Sequence, residues 1–152
     1  MNKQCADKLD IKEMLTIYPY IAQKIREIHK DIIEYEELMA EARQGVVKAQ
    51  ILSDMPRGSD VGNPTQSYAL QMIDDFGMQI QEYKQDVERL RDIKRWGDKL
   101  RRELTGRDWE LLYLAYAQHK SNYVIEKRLR IKRNNVDNAI LETVERARKL
   151  IN

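Results

Sequence analysis

Residues 121–140 read SNYVIEKRLRIKRNNVDNAI, and the reading of the chain starts from them. Apolar residues fall at Ile125, Leu129, Ile131, Val136 and Ala139/Ile140, the spacing of two short helices folded over a tight turn. The outward positions are Lys127, Arg128, Arg130, Lys132, Arg133, Asn134, Asn135 and Asn138. Cations suit phosphates, and an Asn side-chain amide pairs bidentately with the edge of adenine. A compact helix pair with this rim predicts a helix-turn-helix contacting double-stranded DNA. These eight residues form the candidate DNA-binding set.

Working outward, the stretch before the pair supplies its support. Thr105 and Asp108 have the spacing of a helix cap followed by a first-turn acid. Trp109, Leu112, Tyr113 and Tyr116 make one apolar stripe, and Leu111, Leu114 and Ala115 extend it nearly all round. A helix this apolar is expected to be buried on several sides. Beyond the pair, Ile140, Val144, Ala147 and Ile151 carry a last helix toward the terminus. Residues 105–152 therefore read as a three-helix domain.

Residues 1–104 read differently. Met14, Tyr18, Ile21, Ile25, Ile28, Ile32, Tyr35, Met39, Ala42 and Val46 step by four and three, a heptad seam with polar residues between. Asp10 and Glu13 have capping-box spacing at its start. Pro19 predicts a kink, or a helix beginning near Tyr18. Residues 53–67 hold two prolines and two glycines and read as a loop, with Asn63 as cap and Pro64 at the first helical position. A second seam follows at Ala69, Ile73, Phe76, Ile80, Tyr83, Val87 and Leu90. After Leu90 its register slips by one through Ile93, Leu100 and Leu104, marking a bend or the end of the paired region near Gly97. The expectation is an all-α chain: an antiparallel coiled-coil hairpin over 1–104, then the helix-turn-helix domain over 105–152. Parallel self-association is the alternative, in which isoleucine at both core positions favours trimers or tetramers.

Composition bounds the function. Of 152 residues, 34% are charged and 42% hydrophobic, which implies a thin core. Cys5 is the one cysteine, so no internal disulfide forms, and a reducing cytoplasm is expected. No apolar run approaches the ~20 residues that span a bilayer, and no membrane partner is expected. The net charge of +2 hides an asymmetry: Lys and Arg against Asp and Glu number 9 and 11 over 1–65, 8 and 8 over 66–104, and 10 and 6 over 105–152. Four of those last ten cations fall at 127–132, with Arg133 next. That is the clustering a phosphate-binding patch needs. His29 and His119 have no His or Cys partner at ligand spacing, so neither a metal nor a cofactor is expected. No carboxylate pair or glycine-rich phosphate loop supports an enzyme.

The residues from Leu104 to Ile151 resemble the region-4 fold of bacterial sigma factors, with Ile125, Leu129, Ile131 and Val136 at its core positions. The tyrosine-bearing first helix and the stretch Leu52-Ser53-Asp54-Met55-Pro56-Arg57-Gly58-Ser59, with Asp60-Val61-Gly62-Asn63, resemble a family from prophages of Gram-positive bacteria. These are the ArpU and RinA kind of late-gene transcription regulators, a coiled-coil half joined to a sigma-like half. The resemblance covers nearly the whole chain, and it implies DNA as a partner, host RNA polymerase as a second candidate, and homodimerisation through the coiled coil. The chain departs from the pattern at three places. Glu126 stands where a small residue is usual at the helix crossing, Arg130 replaces the turn glycine, and Lys132 replaces the cap of the recognition helix. These departures imply a loosened turn, and Asp137 on the reading face would repel phosphate. Two other readings stay open: a DNA-packaging adaptor of the small-terminase kind, and an RNA polymerase-binding module that never touches DNA.

Overall fold

The computed structural model describes residues 10–53 and 64–151. Cys5, the Met55–Gly58 stretch with Arg57, and the Asn63 cap lie outside the described residues. Every regular element among those described is helical. In chain order they are α1 (Ile11–Ile17), a 3-10 turn (Tyr18–Tyr20), α2 (Ile21–Ser53), α3 (Pro64–Glu103), α4 (Gly106–Leu112), a π-helical segment (Tyr113–Ala117), α5 (Asn122–Leu129) and α6 (Arg133–Ile151).

The long pair is α2 and α3. Tyr35 meets Phe76 and Tyr83 edge-on, with ring centroids 5.5 and 5.7 Å apart, and Gly45 lies against Ala69. Later residues of α2 thus meet earlier residues of α3, so the helices run antiparallel. The seams face inward: Ile32, Ala42, Ala69, Ile80 and Val87 are buried, and the seam positions between them are half-buried. α3 begins at Pro64, whose missing N–H costs nothing in a first turn. Of the expected loop over 53–67, the described residues Ser53 and Pro64–Ser67 are helical.

Two compact units divide differently from the expected boundary at 104/105. One comprises Gln23–Arg89, and the other joins the residues up to Ala22 with those from Leu90 onward. The start of the first seam belongs to the second of these. Pro19 cannot donate a backbone hydrogen bond, and the 3-10 turn it occupies separates α1 from α2. Ile11, Met14 and Leu15 of α1 are buried, and α1 packs on the π-helical segment and on α6. Asp10 makes no side-chain cap; its carboxylate instead pairs with Arg148 of α6 at 3.1 Å.

The register slip after Leu90 coincides with the change of unit, but α3 continues to Glu103. Gly97 is buried because the ring of Tyr18 occupies the place of its missing Cβ. The Tyr18 hydroxyl donates to Asp98 at 2.5 Å, and its ring packs edge-on against Trp109 with centroids 5.7 Å apart. Burial, then the bond to Asp98, pushes the Tyr18 phenol up to about 12. Accepting that bond lowers the Asp98 carboxyl below its usual range.

α4 starts as its sequence requires: Thr105 Oγ1 accepts from the Asp108 N–H at 3.2 Å. The stripe then widens into a π turn, in which the Gln118 N–H donates to the Tyr113 carbonyl at 2.9 Å. The wider turn lets Leu112 and Ala117, five residues apart, both be buried. Burial on several sides holds for Leu111, Leu112, Leu114 and Ala117. Helix α6 is tied to its neighbours by Arg146–Asp108 as well as Arg148–Asp10, each at 3.1 Å.

Candidate nucleic-acid interface

The apolar positions of residues 121–140 close into one cluster. Ile125 and Val136 are fully buried with Leu111 and Leu114, and Leu129, Ile131, Ala139 and Ile140 pack around them. Ser121 starts α5, its hydroxyl accepting from the Val124 N–H at 3.4 Å. Three residues, Arg130 to Lys132, join α5 to α6. Arg130 takes the left-handed conformation (φ 54°, ψ 42°) that a turn glycine would adopt. The loosened turn expected from its replacement is therefore not found. Leaving the helix there frees the Leu129 carbonyl, and the Arg107 guanidinium donates to it at 3.3 Å. This adds a cation beside the turn that no local spacing signalled.

All eight candidate residues are exposed: Lys127, Arg128, Arg130, Lys132, Arg133, Asn134, Asn135 and Asn138. They do not all share one face. Lys127 and Arg133 converge on Tyr123, each cation 5.4 Å from the ring centroid. The ring attracts both charges through its negative face. The Arg133 Nε also lies 3.5 Å from a carboxylate oxygen of Glu126, so the unusual acid at the helix crossing partly neutralises the first residue of α6. Arg128, one residue on from Lys127, points about 100° away around the helix and lines a separate groove with Tyr20, His119 and Lys120. Arg130 and Lys132 flank the turn itself. Asn134, Asn135 and Asn138 are exposed on α6; at about 100° per residue Asn134 and Asn138 lie across the helix from Val136, while Asn135 borders Ala139.

Asp137 has a task other than the one its position suggested. Its carboxylate accepts from the Asn122 side-chain amide at 2.9 Å, tying the first turn of α5 to α6. Lys132 precedes α6 with only its backbone engaged, its carbonyl accepting from the Asn135 N–H at 2.8 Å. A lysine offers no side-chain acceptor for the orphan N–H groups of a helix start.

Charge counting by thirds overlooked a second cationic surface. Residues 91–102 carry six Lys or Arg against two Asp, and Arg95, Lys99, Arg101 and Arg102 border a groove with Asp98 near the end of α3. Two of those six cations pair locally: Lys94 with Asp98 at 3.0 Å and Arg95 with Asp92 at 2.6 Å. A shorter counting window would have found the run. No helix among the described residues is long and apolar enough to cross a membrane. The chain matches no protein-family model, no curated protein and no solved structure.

Proposed function

We propose that this chain is a DNA-binding transcription regulator whose α5–turn–α6 unit is a helix-turn-helix of the sigma region-4 kind. In this reading α6 enters the major groove with Arg133 and Asn134 leading, and Asn135 and Asn138 meet base edges. Arg128, Arg130 and Lys132 clamp flanking phosphates, and Lys127 adds affinity without sequence information. One observation carries the reading: the apolar residues of 121–140 close into a single core while all eight polar candidates remain exposed around a three-residue turn. The Glu126–Arg133 contact then acts as a brake, because Arg133 must leave a carboxylate to reach DNA. Selection of bound duplexes from a random pool tests the proposal. Wild type should enrich a defined motif, and Asn135→Ala should flatten the preference at its position while Lys127→Ala leaves the motif intact. A pool that stays random with wild type rejects it.

The long pair is proposed as the arm through which two copies associate. Ile33, Ala40 and Val47, seven residues apart on α2, are exposed, with Ile33 and Val47 more than half accessible. Such a stripe at heptad spacing is available to a second copy. Host RNA polymerase as a partner is supported by the resemblance alone. Comparing duplex affinity with and without polymerase tests it, and tests equally the alternative of a polymerase-binding module that never touches DNA.

A further inference from the structure

We propose that the groove between the Tyr18–Tyr20 turn, the end of the π-helical segment and α5 is a second phosphate clamp on duplex DNA, with Lys120 and His119 as its own residues and Arg128 shared with the helix pair. The proposal rests on the DNA-binding reading and extends its footprint to a part of the chain that the helix-turn-helix pattern does not include.

Chemistry selects the ligand class. The groove is lined by three basic side chains, His119, Lys120 and Arg128, with Tyr20 and Gln118 as neutral donors, and no carboxylate lines it. The groove near the end of α3 differs on this point, since it contains Asp98. The surface around Tyr123 differs too, since Glu126 sits on Arg133. An uncompensated set of donors from two directions, the 118–120 turn and Arg128 in the second turn of α5, suits an anion with several acceptor oxygens. A phosphodiester is such an anion.

Geometry adds a second observation. His119 is left-handed (φ 50°), one of two such non-glycine residues among those described, and the other is Arg130. These two flank α5 before and after, and each puts a basic side chain where glycine would be cheaper by about 1 kcal/mol. The backbone around His119 is pinned on both sides: the Gln118 N–H donates to the Tyr113 carbonyl at 2.9 Å, and the Lys120 N–H donates to the Leu114 carbonyl at 2.8 Å. The backbone that carries the basic pair is thus fixed before any ligand arrives, which lowers the entropy lost on binding. Among the occupants such donors fit, duplex DNA is favoured by continuity, because Arg128 belongs both to this groove and to the helix that carries Lys127.

The test is the salt dependence of binding of a fluorescently labelled duplex to the full chain, followed by anisotropy. Lys120 lies outside the α5–α6 unit, so Lys120→Gln separates this clamp from the helix pair. Lys120→Gln should make the slope of log affinity against log salt shallower by about 0.9, and Lys120→Gln with Arg128→Gln by about twice that. The preferred motif should not change. His119→Gly should raise the melting temperature and weaken binding, and unchanged binding removes His119 from the clamp. A Lys120→Gln slope equal to wild type, with Asn135→Ala still flattening the preference at its position, overturns the groove and leaves the helix pair's role intact. Wild type that binds no duplex overturns both. Poly-glutamate that competes as strongly as duplex at equal charge assigns the groove to an acidic protein surface and overturns the DNA assignment. Both lysine and arginine positions are exposed, so their removal leaves the fold unchanged, and a thermal melt checks this.

Discussion

A left-handed backbone at Arg130 (φ 54°) crowds its Cβ against the following carbonyl. Glycine escapes that strain but loses more freedom on folding, so Arg130→Gly should stabilise the chain by roughly 0.5–1 kcal/mol in denaturant melts. The same variant should bind duplex DNA more weakly, because it removes a proposed phosphate contact. A variant that is more stable and binds as well as wild type would show that the arginine serves neither end. Gly97 presents the opposite case. Tyr18 fills the space of a Cβ there, and Asp98 and Trp109 hold the ring in place. Gly97→Ala should therefore cost about 1–3 kcal/mol, the usual range for overpacking. The Tyr18 phenol gives a pH signature. It is neutral in both folded and unfolded chains below its ordinary value of 10.0, so its contribution is then complete. Above that the unfolded phenol ionises first, and stability is lost as the pH climbs toward about 12. Tyr83 and Tyr116 are raised as well and share this limb. Unfolding midpoints measured between pH 8 and 12 should fall less steeply in Tyr18→Phe than in wild type, and equal slopes would contradict the assignment. At the acid end, Asp98 stabilises above its ordinary value of 3.8 and that gain is lost as pH falls through its lowered folded value. Tyr18→Phe should shrink this acid limb too.

At the scale of elements, periodicity made the long pair legible, because a seam stepping by four and three must face something apolar. What it faces is not written in the spacing. Met14 and Tyr18 continue the seam of Ile25 and Ile32 without a break in pattern, yet they belong to the unit built on α4, α5 and α6. Pro19 was the only local sign, since it ends one helix and admits another. The consequence is measurable. Leu15 is fully buried on α1, so Leu15→Ala should cost about 2–5 kcal/mol. Both tryptophans, Trp96 and Trp109, lie in the same unit as Leu15, so the loss should appear in the fluorescence unfolding transition. A fluorescence midpoint identical to wild type would mean that α1 is not part of that core. The helix pair was legible for a similar reason: Ile125 and Val136 are too apolar for any place but a core. The split of its charges was not. Lys127 and Arg128 are adjacent in sequence, but one residue turns a helix by about 100°, so a charge run seen in a string divides between two faces. The His119–Lys120 side of the groove was hidden because its partners come from residues about a hundred positions earlier.

For the whole molecule, a near-balanced net charge conceals strongly uneven placement. Most of the unmatched cations lie in the unit that joins the N-terminal turn to the residues after Leu90, and the other unit carries the exposed stripe of Ile33, Ala40 and Val47. The proposed division of labour gives nucleic acid to the first and self-association to the second. Light scattering on the full chain should report a dimer, and Ile33→Lys with Val47→Lys should shift it toward monomer while leaving the fluorescence transition unchanged. A ring of many copies would instead favour the packaging-adaptor reading. The proposed function rests on a pattern of residue types, and cations and amides over a helix corner describe a surface and not its target.

The most direct measurement is the affinity of the full chain for a labelled duplex as salt is raised. With Lys127, Arg128, Arg130, Lys132 and Arg133 near phosphates, and Lys120 in the proposed second clamp, log affinity should fall with log salt at a slope of roughly −5, from about 0.9 per contact. Replacing the first five by glutamine should leave only the share of Lys120, about 0.9, in a chain that still melts cooperatively. A wild-type affinity indifferent to salt, or a slope unchanged by the five replacements, would contradict the account.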